Sequence, residues 1–133
     1  VHTLSLEFGD LDLQRAEMTL PDQQAYHNHV GGPHAGAMFT LAESASGALV
    51  LANFGDRLAD ATPLAVEATI RYLKLAMGPV TATARMMRSG EEILAELEAG
   101  GRPEFLVEID LATADGTVTG QMTIVWTLKP NKR

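Results

Sequence analysis

The chain has 133 residues, a formal charge of −7 and no cysteine. That length suits one domain, residues 1–133, burying roughly two-thirds of the surface its unfolded chain exposes. The acidic balance argues against a nucleic-acid partner, whose phosphates need a basic surface, and a chain without cysteine forms no disulfide or thiolate metal site. No basic segment precedes an apolar stretch at the beginning, so no signal peptide is expected; with no cysteine this fits a reducing, cytoplasmic setting.

Residues 1–10 show no clear pattern. Residues 11–20, "LDLQRAEMTL", predict a strand of irregular phase. "PDQQAYHNHVGGPH" is a loop by its Pro, Asp, Asn and Gly content. "AGAMFTLAESASGALVLAN" predicts a helix, too uniformly apolar to be exposed and so largely buried. Ala35 to Phe54 is long enough to span a membrane, but Glu43 lies near its centre and Gly36, Gly47, Ser44, Ser46 and Asn53 dilute it. A carboxylate in hydrocarbon is costly, so a buried helix of a soluble protein is expected.

Beyond the helix the period becomes two. In "AVEATIRYLKL", Val66, Ala68, Ile70 and Tyr72 share one face and Glu67, Thr69, Arg71 and Leu73 the other. "MGP" at 77–79 is a turn and "VTATARMMR" the next strand. "SGEEILAELEAGG" predicts a short helix, with Ser89 and Glu92 at capping-box spacing and Gly100–Gly101 closing it. "FLVEIDLAT" and "TVTGQMTIVWTL" alternate cleanly, and Asp115–Gly116 between them signals a hairpin. Short connections make these strands antiparallel, and a sheet with one covered face needs a cover. The helix at 36–53 is the candidate, which predicts an α+β fold with an antiparallel sheet wrapped around one long central helix. The sheet's edge strands in turn need partners, which predicts a homo-oligomer.

The chemistry concentrates just before and within that helix. Helical spacing sets Gly36, Phe39, Thr40, Ser46, Gly47 and Val50 on the side of Glu43, which gives the acid hydroxyls but no cation. An unpaired carboxylate there fits either a solvated edge or a cleft where it serves as nucleophile or general base. His27, His29 and His34 are spaced two and five apart in a loop, which is no compact metal pattern, so no metal is expected. His34, Ala35 and Gly36 stand at the helix start, where free amides and the positive end of the dipole suit an oxyanion. Such amides can polarise a thioester carbonyl, Asn28 can orient the carbonyl or a water, and Glu43 can attack or activate the water.

The run "N-x5-H-A-G-x-x-x-x-L-A-E", Asn28 to Glu43, resembles the helix-start motif of hotdog-fold acyl-CoA thioesterases of the PaaI type. "RYLKLAMGPVTATARMMRSG" resembles that family's strand pair after the helix. The resemblance implies a hotdog fold and a homodimer as the minimal unit, with dimers able to pair. It places active sites at the dimer interface, Glu43 as the catalytic group and the amides of Ala35 and Gly36 as the oxyanion hole. Coenzyme A then enters as part of the substrate, and no separate cofactor is implied.

This chain departs from the family in three places. His-Gly-Gly has become His-Ala-Gly, which keeps the amide but tightens the pocket. Position 47 is Gly where some relatives carry a hydroxyl one turn after the acid, leaving Ser46 as a substitute, and the segment at 89–101 is an insertion. Two other readings belong beside the thioesterase. His29 precedes Glu43 by fourteen residues, the spacing of hotdog 3-hydroxyacyl thioester dehydratases, and a catalytically silent acyl-CoA binder also fits. For the phosphates of coenzyme A the candidate cations are Arg71, Lys74, Arg85, Arg88 and Arg102, with the amide of Gly90 at a helix start.

Overall fold

The computed structural model describes residues 6–21 and 35–131, without the side chain of Phe8. Two strands open the chain, β1 (Glu7–Leu11) and β2 (Arg15–Leu20). They are joined by a turn in which the carboxylate of Asp12 accepts the amides of Gln14 and Arg15 at 2.7 and 2.8 Å. The long helix α1 (Ala35–Phe54) follows and runs into a single 3-10 turn at 55–57. Then come β3 (Ala61–Tyr72), β4 (Val80–Met86), a second helix α2 (Gly90–Glu98), β5 (Glu104–Thr113) and β6 (Val118–Pro130). All six strands form one antiparallel sheet in the order β1-β2-β4-β5-β6-β3.

The sheet wraps α1, as the hotdog expectation requires. On α1, Ala37, Met38, Leu41, Ala42, Ala45, Ser46, Leu49, Val50 and Phe54 are buried. They pack chiefly on β2, β4 and β5. There they meet Ala16, Met18 and Leu20, Ala82 and Ala84, and Val107, Ile109 and Leu111, all buried. Small side chains on both surfaces let helix and strands approach closely. Phe54 closes the helix end edge-on against Phe105, ring centroids 5.4 Å apart. The apolar helix is thus the core of a folded domain rather than a membrane span.

Several boundaries differ from those expected. The strand anticipated at 11–20 starts at Arg15, and β1 forms from residues that showed no pattern. β3 begins four residues before Ala65 and includes Pro63, which an edge strand tolerates because its free side needs no donor. It ends at Tyr72; Leu73 and Lys74 leave the strand, both donating their amides to the carbonyl of Thr119. The largest difference is a bulge between Ala65 and Glu67. Directly opposed residues share a face. Pro63, Ala65, Ala68, Ile70 and Tyr72 oppose Leu128, Trp126, Ile124, Met122 and Gly120 and so share the helix side, while Val66 sits at the bulge. Without that extra residue, strict alternation from Ala65 would turn Glu67, Thr69 and Arg71 toward the helix.

Candidate active site at the start of α1

Glu43 is exposed in the single chain and makes no hydrogen bond or ion pair among the described residues. α1 is therefore not buried all round. Gly36, Thr40, Glu43, Gly47 and Leu51 fall at intervals of four, three, four and four, which is one helical stripe. None of the five is buried. A Cβ built on Gly47 meets nothing among the described residues within 4 Å. A lone acid in an apolar helix is explained by this open stripe, which stays out of the core that Leu41, Ala45 and Leu49 enter.

Ala35 is the first residue of α1 and Gly36 the second. Helix geometry leaves the amide of Gly36 with no acceptor inside the helix. The carbonyls of the same turn are tied down: the Tyr72 hydroxyl donates to the Ala35 carbonyl at 3.1 Å, and the Thr40 hydroxyl to the Gly36 carbonyl at 3.0 Å. Tyr72 closes β3, so the end of the edge strand is fastened to the start of the helix. Sequence alternation grouped Tyr72 with Val66, Ala68 and Ile70 on one face and gave it no role. A tyrosine ending an alternating strand, with a polar tip beyond an apolar body, is the signal that points to it.

Asn28, His29 and His34 lie outside the described residues, as does His27. Ser46 is present on α1 but faces inward, fully buried, where its hydroxyl accepts the indole N–H of Trp126 at 2.7 Å. It is occupied in the core rather than standing on the open stripe with Glu43.

The expected cations are dispersed. Arg71 opposes Gln121 on the outer face of the sheet, and Lys74 follows Tyr72 at the helix-start end. Arg85 pairs with Asp110 at 3.0 Å, and Arg88 is bound by Glu96 at 3.1 Å and the Glu104 carbonyl at 3.0 Å. Arg102 is exposed. Gly90 packs on Asn53, whose Oδ1 would lie 2.6 Å from an added Cβ. Asn53 is ten residues beyond Glu43, roughly 15 Å along the helix at 1.5 Å per residue. Within one chain, Arg88 and Gly90 are therefore not brought to Glu43. The first turn of α2 also holds Glu91 and Glu92, which oppose an added phosphate.

No candidate metal cluster of three or more His, Cys, Asp or Glu occurs among the described residues. No curated protein matches the chain. Among solved structures it is similar to PA5026 of Pseudomonas aeruginosa, described as a protein of unknown function and probable thioesterase. The TM-score is 0.87 at 28% identity, over 98% of this chain and 87% of that one. PaaI of E. coli, from the phenylacetic acid degradation operon, aligns with TM-score 0.74 and 16% identity over 96% of this chain and 81% of that one. A variant of the Pseudomonas aeruginosa thioesterase PA1618 gives 0.78 and 21% over 98% and 85%. At those identities the last two show the fold. The sequence matches the family described as Domain of unknown function (DUF4442) over residues 1–128. The chain belongs to that DUF4442 family, and its fold is the hotdog fold that the PaaI-type thioesterases share.

Proposed function

We propose that this protein is a thioesterase that hydrolyses an acyl-CoA to the free acid and CoA. The observation that carries the reading is the exposed Glu43, unpaired among the described residues and seven residues after Gly36 on one open stripe of a hotdog helix. The Gly36 amide binds the thioester oxygen and takes up the negative charge that develops there. Glu43 removes a proton from water as the water oxygen adds to the carbonyl carbon. Collapse of the tetrahedral intermediate breaks the C–S bond, and the thiolate leaves as CoA, taking up a proton. Direct attack by Glu43 is the alternative path, through an anhydride that water then hydrolyses.

A homodimer fits this chemistry. Seven residues of helix separate Gly36 from Glu43 by about 10 Å of rise, a long reach for one carboxylate to a carbonyl on that amide. Two copies packed antiparallel about Thr40, stripe to stripe, would bring Glu43 of the partner subunit to Gly36. β3, twelve residues long and at the sheet edge, exposes Leu64, Val66 and Tyr72 and is the strand to pair with its copy. Lys74, and Arg71 on the outer face, are the cations assigned to the CoA phosphates. Thiol release from a panel of aromatic, short-chain and medium-chain acyl-CoAs tests the reading. Turnover of at least one thioester is expected, while binding without turnover across the panel would make the protein an acyl-CoA binder.

A further inference from the structure

The carbonyl of Ala35 and the amide N–H of Gly36 belong to one peptide group. The Tyr72 hydroxyl donates to that carbonyl at 3.1 Å, across 37 residues of sequence. A hydrogen bond accepted at the carbonyl of a peptide draws electron density from its nitrogen and makes its N–H a stronger donor; such cooperativity is worth roughly 10–30% per bond. The geometry points to Tyr72 as a positioning residue that holds the Gly36 amide and strengthens it as an oxyanion donor. This rests on the thioesterase reading for its consequence in catalysis, though not for its consequence in the amide itself.

Two features give the contact its specificity. The bulge at Ala65–Glu67 sets the phase of the strand that follows, in which Tyr72 opposes Gly120. Tyr72 is about half exposed, at 49%, so core packing alone does not account for its place. The next peptide is treated alike, since the Thr40 hydroxyl donates to the Gly36 carbonyl. That second bond is the ordinary back-bond of a helical threonine to the residue four before it. The bond from Tyr72 comes from another element and is tied to the edge strand that a partner copy would extend.

Tyr72→Phe removes the hydroxyl and keeps the ring, so ring-current effects on neighbouring nuclei persist. Two measurements are made on the intact oligomer. In the first, without substrate, the Gly36 amide 15N resonance should move upfield, because the peptide loses its carbonyl hydrogen bond. In the second, on the best acyl-CoA, kcat should fall about threefold to tenfold with KM little changed, a fraction of the hundredfold or more lost with a whole oxyanion donor. The pH dependence of kcat should be unaltered, since no titrating group of the reaction is touched. An unmoved Gly36 resonance overturns the inference. So does a kcat within about twofold of wild type in a protein that Glu43→Gln inactivates. If Glu43→Gln remains active, the thioesterase mechanism fails instead, and the Gly36 resonance still decides the role of Tyr72.

Discussion

Ser46 and Trp126 join the helix to the sheet through one bond, 2.7 Å long, with Ser46 fully buried. Ser46→Ala leaves the indole N–H without its acceptor in a partly buried place. That should cost about 1–3 kcal/mol, read as a lower urea midpoint at unchanged slope, with hydrolysis retained. Asp115 is the opposite case, at an exposed hairpin. The Thr113 hydroxyl at 2.6 Å and the Thr117 amide at 3.0 Å stabilise its ionised form and lower its pKa from 3.8 to about 2. A depressed folded value means the stabilisation is complete above 3.8 and is lost as pH falls toward 2. The Asp115 carboxyl carbon followed by NMR should titrate near 2, and a midpoint at 3.8 would show that the hairpin bonds do not hold in solution. At this scale Glu43 was legible because a charge in an apolar run stands out whatever the fold. Tyr72 gained its role only from a contact 37 residues away, which local spacing does not encode.

Elements were legible where a single period ran unbroken. α1, β4, α2, β5 and β6 lie close to their expected spans because apolar repeats and caps mark them. At α2 the Ser89 hydroxyl accepts the Glu92 amide at 3.2 Å, as the capping-box spacing predicted. Ser89→Ala should therefore lower stability by about 1 kcal/mol without changing kcat. β1 was hidden because its pairing with β2 is irregular, with a register shift between Phe8 and Leu11. The bulge in β3 hid for a related reason. Val66, Ala68, Ile70 and Tyr72 alternate well on paper, but the register with β6 sets the faces, and Val66 falls outside it. Spacing placed Gly36, Thr40 and Gly47 beside Glu43, but it also placed Ser46 and Val50 there, and both are buried. Gly47→Arg tests the open stripe of α1: the added Cβ meets nothing among the described residues, so the fold should hold and the helix lose nothing in propensity. Light scattering should then report a smaller species than wild type, because the arginine occupies the surface assigned to the partner copy. An unchanged mass with Gly47→Arg would move the interface elsewhere.

Among the described residues, one long edge and one helix stripe are left uncovered on the same chain, and both carry residues of the candidate site. β3 ends in Tyr72, and the stripe holds Gly36 and Glu43. Wild-type protein is accordingly expected to be a dimer or larger at micromolar concentration, and a monomer would remove the shared site. The fold class could be read from the order of elements, since a single apolar helix and a run of antiparallel strands leave few ways to bury both. The catalytic constellation could be read only in part: Asn28 and His34 lie outside the described residues, Arg71 and Arg85 sit on the outer face of the sheet, and Lys74, Arg88 and Arg102 fall outside the strands. Hydrolysis of the best acyl-CoA by wild type and Glu43→Gln, side by side, tests the role of that acid most directly. The substitution keeps shape and removes charge from an exposed position, so folding and oligomeric mass should be unchanged. A fall in kcat of at least about a hundredfold is expected for one positioned acid–base group. Near-wild-type hydrolysis by Glu43→Gln would contradict it.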